Sequence, residues 1–319
     1  MREMSPLSYL ILVLLIPLSS AFPLTSSSGA TVFHDAITEI PLPPLSLNPQ
    51  EPNFDSFDLT SALPPASVIR AEAIDLPPNC AAYIGQGEDS ECASAMTALS
   101  VQFEDCGDPF VVCRCDDAQM SIGSVLDRLG RVPVGLRRYA GTIVVVATNS
   151  TPHAYTLTTG DTHIFGDCSM NAWVHETIHA FDFAEDTRQS SAPGWSSALA
   201  TDSCVPDSYS LVNAVEDFAQ VGVITIYMLV YGGRLPPGFV ADCMSNQLAF
   251  ASSLAMYNPE NLFGNTCNIV DGGPPARHTA SPAVLDPSRT FPDVVSNGQI
   301  SWRYEHYWGS GCGFDGARQ

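Results

Sequence analysis

Apolar and polar positions alternate unevenly along this chain and divide it into five stretches. Residues Leu7 to Leu18 form one apolar run, too short to span a bilayer comfortably. Residues 22–79 are rich in proline and serine and show little periodicity. PLPPLSLNPQEPNF and SALPPASVIR cannot be regular helices or central strands, so this stretch reads as a linker or propeptide. From 80 to 140, CASAMTALSVQFEDC carries apolar residues at helical spacing, and SIGSVLDRLGRVP reads as a short helix that Pro133 ends. That stretch is expected to be a helical cap packed on the residues after it. Gly141 to Ala147 is a β-branched run and reads as a buried strand. His153–Thr158 reads as a second strand, and Thr162–Gly166 as a third, at a sheet edge. A helix then starts near Ser169 or Asn171, both good N-caps. A further helix is expected from Leu211 to Val230, with Asn213 near its start and Gly232-Gly233 after it. It is apolar on most faces, which implies burial. The β-branched run Val221–Ile226 keeps a strand reading open there. The last stretch, 271–319, reads as loop-rich, and no internal repeat is visible.

The pattern therefore predicts an α+β protein with its core in residues 141–270. The termini and the cysteines place it. Arg2, the Leu7–Leu18 run and the small residues Ser19-Ser20-Ala21 have the layout of a secretory signal peptide cleaved after Ala21. Ten cysteines in a chain so routed imply a disulfide framework. The expected pairs are Cys168–Cys204 and Cys243–Cys267, with the others largely inside the N-terminal cluster. Thirty-four acidic residues against thirteen basic ones give a net charge of −21. Such a surface repels phosphate backbones and anionic lipid, so neither nucleic acid nor membrane is an expected partner. Asn149-Ser150-Thr151 is the only glycosylation sequon, at an expected strand end. Oligomeric state and cleavage preference cannot be read from the sequence.

Candidate chemistry concentrates in WVHETIHAFDF. The chain has only seven histidines, and His175 and His179 stand four apart with Glu176 after the first. A helix advances about 100° per residue, so His179 lies roughly 40° round from His175 and one turn along. Both imidazoles can reach one ion, while Glu176 flanks it within reach of a water there. Zinc suits two imidazoles and an oxygen ligand with one open position. Glu185 has the metzincin spacing for a third ligand, but Asp182 stands where those proteins place a turning glycine. Glu216, near the start of the later helix, is the better third ligand. Asp182 and Gln220 are candidates to orient the site from behind the ligands. His163 reads as a surface histidine, and Trp195 as a core plug or a cleft-lining residue.

HExxH followed by Tyr209, Glu216 and Phe218-Ala219 resembles the anthrax-lethal-factor-like and Pro-Pro endopeptidase group of gluzincins, over about Thr162 to Val230. The resemblance implies a zincin-like domain in which Glu216 is the third zinc ligand and Tyr209 stabilises the oxyanion. The group's second glutamate after Phe-Ala is Gln220 here. More broadly, GRVPVGLRRYAG, HAYTLTTGD, VEDFAQV, GRLPPGF and LFGNTC resemble fungal conidiation-specific secreted proteins. The expectation is a secreted zinc metallopeptidase acting on a peptide or protein. His175, His179 and Glu216 would hold Zn²⁺, Glu176 would be the general base, and Tyr209 the oxyanion donor. A peptide could pair with the edge strand near Ile164. The rival reading is a catalytically inactive zincin-fold protein that binds at the spore or cell surface.

Overall fold

The computed structural model describes residues 42–50, 54–85, 91–106, 108–184 and 188–264. Their elements run β1 (Asn48–Pro49), β2 (Val68–Ile74), α1 (Pro78–Ala81), β3 (Met96–Phe103), β4 (Phe110–Cys115), α2 (Ile122–Arg131) and α3 (Val134–Arg137). Then come β5 (Ile143–Val146), β6 (His153–Thr156), β7 (Thr162–Phe165), α4 (Met170–Asp182), α5 (Pro193–Thr201) and β8 (Cys204–Val205). The described chain ends with α6 (Ala214–Val230), α7 (Ser245–Ser253) and α8 (Pro259–Leu262). The mixed α+β class is as expected. No helix of the described residues is long and apolar enough to cross a membrane.

Six strands form one sheet in the order β2-β3-β4-β5-β7-β6. β2, β3 and β4 are antiparallel neighbours, β4–β5 and β5–β7 are parallel, and β6 returns antiparallel to β7. β5 is Ile-Val-Val-Val with all four residues buried, as a strand covered on both faces requires. α4 lies against β6 and β7 and also packs on α3 and α6. α4 and α6 approach closely at Gly222. A Cβ there would collide with the Tyr257 hydroxyl and stand 2.7 Å from Ile178 Cδ1.

Three expectations are corrected. CASAMTALSVQFEDC is not a helix. Its apolar positions fit either period, and pairing of Met96–Phe103 with both β2 and β4 decides for a strand. The part of 22–79 that is described is no linker, since Phe54, Leu59 and Leu63 are buried. Asn171 in the first turn of α4 holds that stretch. Its Nδ2 donates to Phe54 O at 2.9 Å and Phe57 O at 2.7 Å, and its Oδ1 accepts from Leu59 N at 3.1 Å. Finally, Thr162–Phe165 is not an edge. β7 lies between β5 and β6, and β6 is the outer strand beside α4. The reading of residues 271–319 falls outside the described residues.

The cysteine framework is present, with a different pairing. Cys80–Cys113 and Cys92–Cys115 staple the segment around α1 to β4, within the N-terminal cluster as expected. The third is Cys204–Cys243 rather than Cys168–Cys204 or Cys243–Cys267. The Ser203 N to Cys243 O hydrogen bond of 2.9 Å sets the two chain segments side by side, which selects that partner. Cys106 and Cys168 are also disulfide-bonded. The 204–243 bridge spans a sequence separation of 39. Replacing both of its cysteines by alanine is expected to cost about 2–5 kcal/mol of unfolding free energy, read by urea denaturation. An unchanged midpoint would show that the bridge constrains nothing.

Candidate metal centre

α4 begins after Ser169 and buries all thirteen of its residues, His175, Glu176 and His179 among them. The later helix begins at Ala214, and its start is doubly fixed. The Asn213 carbonyl oxygen Oδ1 accepts from Val215 N at 2.8 Å and Glu216 N at 3.0 Å. Trp195, fully buried against Phe218, donates from Nε1 to Ala214 O at 3.0 Å, so it is a core residue. The Val221–Ile226 run is helical despite its β-branched residues, because the whole turn is buried among other elements. This geometry aims Glu216 at α4.

The two histidines and Glu216 meet at one point. His175 Nε2 and His179 Nε2 are 2.9 Å apart, and each lies 3.1 Å from Glu216 Oε2. Donors held 2.0–2.1 Å from one zinc at tetrahedral angles would stand about 3.3 Å apart, so the spacing is close to that of a ligand set. The proton positions agree. Gln220 Nε2 donates to Asp207 Oδ2 at 2.9 Å, which turns its Oε1 toward His175 Nδ1 at 3.0 Å. His175 therefore carries its proton on Nδ1 and presents a bare lone pair at Nε2. Acceptors facing one point repel unless a cation lies among them. A proton serves one pair at a time, whereas a divalent ion serves all three. The residues thus fit a metal ion.

Charge reinforces this. Where the rings hold protons in place of an ion, burial pushes the Glu216 carboxyl up, but the charge of His179, the hydrogen bonds from both rings and the charge of His175 outweigh it and hold the group well below the usual carboxylate range. Glu176 is pushed up to about 7, chiefly by burial. His175 opposes that shift, Glu216 adds to it, and a hydrogen bond from Thr156 opposes it. Thr156 Oγ1 lies 2.8 Å from Glu176 Oε2. Tyr209 sits on a short 3-10 turn and hydrogen-bonds Glu216, with its ring 5.9 Å from that of His175. Burial first, then the Glu216 and Glu176 charges, push its hydroxyl far up, so it keeps its proton. Phe183 stacks on the His179 ring at 5.6 Å, and the Arg188 guanidinium lies over the Phe183 ring at 4.5 Å.

The remaining expected residues divide. Gln220 reaches His175, whereas Asp182 accepts from Ser190 N at 3.0 Å and from Ser190 Oγ at 2.5 Å. Glu185 lies outside the described residues. His163 is no surface histidine. It is fully buried, with Nδ1 2.6 Å from Glu91 Oε2 and its ring stacked on Tyr155. Thr156 and Asp207 were not anticipated. Neither stands at a motif spacing, and each reaches the site only through tertiary pairing. Gln220→Ala is expected to weaken zinc binding by about 10- to 100-fold, measured by competition with a chromophoric chelator. Unaltered affinity would mean that the amide does not orient His175.

The family model described as conidiation-specific protein Con-13 matches residues 88–254, which contain every side chain named at the centre. Conidiation-specific protein 13 of Neurospora crassa is 34% identical over 139 residues, covering 41% of this chain and 40% of that protein. The match thus spans less than half of the relative's length. No solved structure matches. With the family model covering more than half of the sequence, the chain belongs to the Con-13 family of conidiation-specific proteins.

Proposed function

We propose that this protein is a secreted zinc-dependent metallopeptidase of the gluzincin kind, hydrolysing peptide bonds in an extracellular peptide or protein. One observation carries the reading: His175 Nε2, His179 Nε2 and Glu216 Oε2 converge from two helices within 3.1 Å of one another. The zincin reading of the fold is supported by the HExxH helix lying beside an antiparallel edge strand, with the third ligand on a second packed helix. The disulfides suit an oxidising compartment.

His175, His179 and Glu216 would hold the ion. When bound, zinc supplies a Lewis acid for the scissile carbonyl and lowers the pKa of a water toward neutrality. Glu176 accepts the proton of the attacking water and passes it to the leaving amine, a task suited to a carboxyl tuned to about 7. Thr156 fixes that carboxyl in place. The Tyr209 hydroxyl, which retains its proton, donates to the oxyanion. β6 is the outermost strand on its side of the sheet among the described residues, so an extended peptide can lie along it, moving this role from Ile164 to His153–Thr156. Asp207 and Gln220 hold the His175 tautomer.

The test is elemental analysis of the purified protein, followed by cleavage of a broad peptide library by the zinc-loaded form. Zinc without cleavage would favour the second reading, an inactive zincin-fold binding protein of the spore or cell surface. The observation on that side is the enclosure of the base: Glu176 is 2% exposed and His175 1%.

A further inference from the structure

The sheet has two ends. β6 borders the metal centre, and β2 closes the other end with no strand beyond it among the described residues. All seven residues of β2 are exposed. Of the seven large hydrophobic side chains exposed among the described residues, three sit on this one strand: Val68, Ile69 and Ile74. Edge strands usually carry charge that repels a second strand. β2 instead carries one charge of each sign, Arg70 and Glu72, paired at 2.6 Å. Its net charge is zero on a chain whose total is −21. It is therefore a stretch where two copies can approach without the repulsion the rest of the surface imposes.

We propose that β2 pairs antiparallel with β2 of a second copy about a two-fold axis through Ala71. The order Val68-Ile69-Arg70-Ala71-Glu72-Ala73-Ile74 is self-complementary in that register. Arg70 stands opposite Glu72 of the second copy, and Glu72 opposite its Arg70. Ile69 meets Ala73, and Val68 meets Ile74. Sliding by two residues in either direction would oppose Arg70 to Arg70 or Glu72 to Glu72, and a parallel arrangement would set like charges side by side. Directly opposed like charges destabilise a strand pair and opposite charges stabilise it, so the charge order selects both direction and register. The irregularity in the β2–β3 register falls between Val68 and Arg70, outside the central Arg70-Ala71-Glu72 triplet. A strand of unrelated sequence would lack this reciprocal match, which points to a second copy as the occupant.

Sedimentation velocity of the full secreted chain over a wide concentration range tests this. The wild type is expected to show a monomer–dimer equilibrium, unchanged by zinc chelation. Glu72→Arg and Arg70→Glu, each alone, should weaken association by about tenfold or more, because each sets four like charges at the axis. An equimolar mixture of the two variants should dimerise again, as should the double exchange R70E/E72R. Both side chains are solvent-facing, so the fold should survive, which circular dichroism checks. A wild type monomeric at every concentration overturns the proposal. So do single variants that associate as the wild type does, or a mixture that fails to recover. These outcomes are independent of whether the metal centre hydrolyses anything.

Discussion

Glu176→Gln is expected to lower kcat for peptide cleavage by about 10²- to 10⁴-fold while zinc content stays at the wild-type level. The substitution is close to isosteric. A glutamine Oε1 can still accept from Thr156 Oγ1, the 2.8 Å contact that holds the side chain, so the buried pocket need not rearrange. Its amide cannot take a proton from water, and the negative charge of the carboxylate is removed with that ability. The proposed ligand atoms belong to His175, His179 and Glu216, so metal binding should be untouched. Steady-state kinetics beside elemental analysis separates the outcomes. Full activity in the variant would remove Glu176 from the chemistry. Parallel loss of zinc and activity would make it a structural support of the ligand helix rather than a base.

The second large effect concerns the carboxylate from α6. With Glu216→Ala, two imidazoles remain, and a site that held zinc through three protein ligands should lose most of its affinity. The consequence extends to stability. A ligand present at about 1,000 times its Kd stabilises the folded state by about 4.1 kcal/mol. Zinc should therefore raise the wild-type melting temperature, chelation should reverse the gain, and Glu216→Ala should melt alike with and without the metal. Acidification should act in the same direction as chelation, because protons compete for the same lone pairs and affinity falls as pH falls. A variant that keeps full zinc and the full thermal shift would show that Glu216 is not a ligand. The centre would then need another oxygen donor.

The residues behind these predictions were visible from the sequence to different degrees. The facing of His175 and His179 follows from helical geometry over one turn, and the Asn213 cap from the chemistry of one side chain beside its own backbone. Such features involve neighbours in the chain, so the amino-acid order alone determines them. So do the α+β class and a disulfide framework. Glu216 was named through its position after HExxH and a family resemblance, but its distance to the rings depends on how α4 and α6 pack, down to the missing Cβ of Gly222.

Only the tertiary structure decided the rest. Met96–Phe103 carries apolar residues at helical spacing, yet it is a strand because β2 and β4 bind its edges. Phe54, Leu59 and Leu63 lie in a proline-rich stretch with no period, and they enter the core because Asn171 captures their backbone. Cys204 could have joined several cysteines, and the strand-like contact at Ser203 chose Cys243. Thr156, Asp207 and the true edge strand share that origin. Periodicity and capping are written within a few residues and survive in any fold the chain adopts. Pairing across many residues is a contest among partners, and the whole packed molecule settles it by burying its apolar surface and satisfying its buried polar groups.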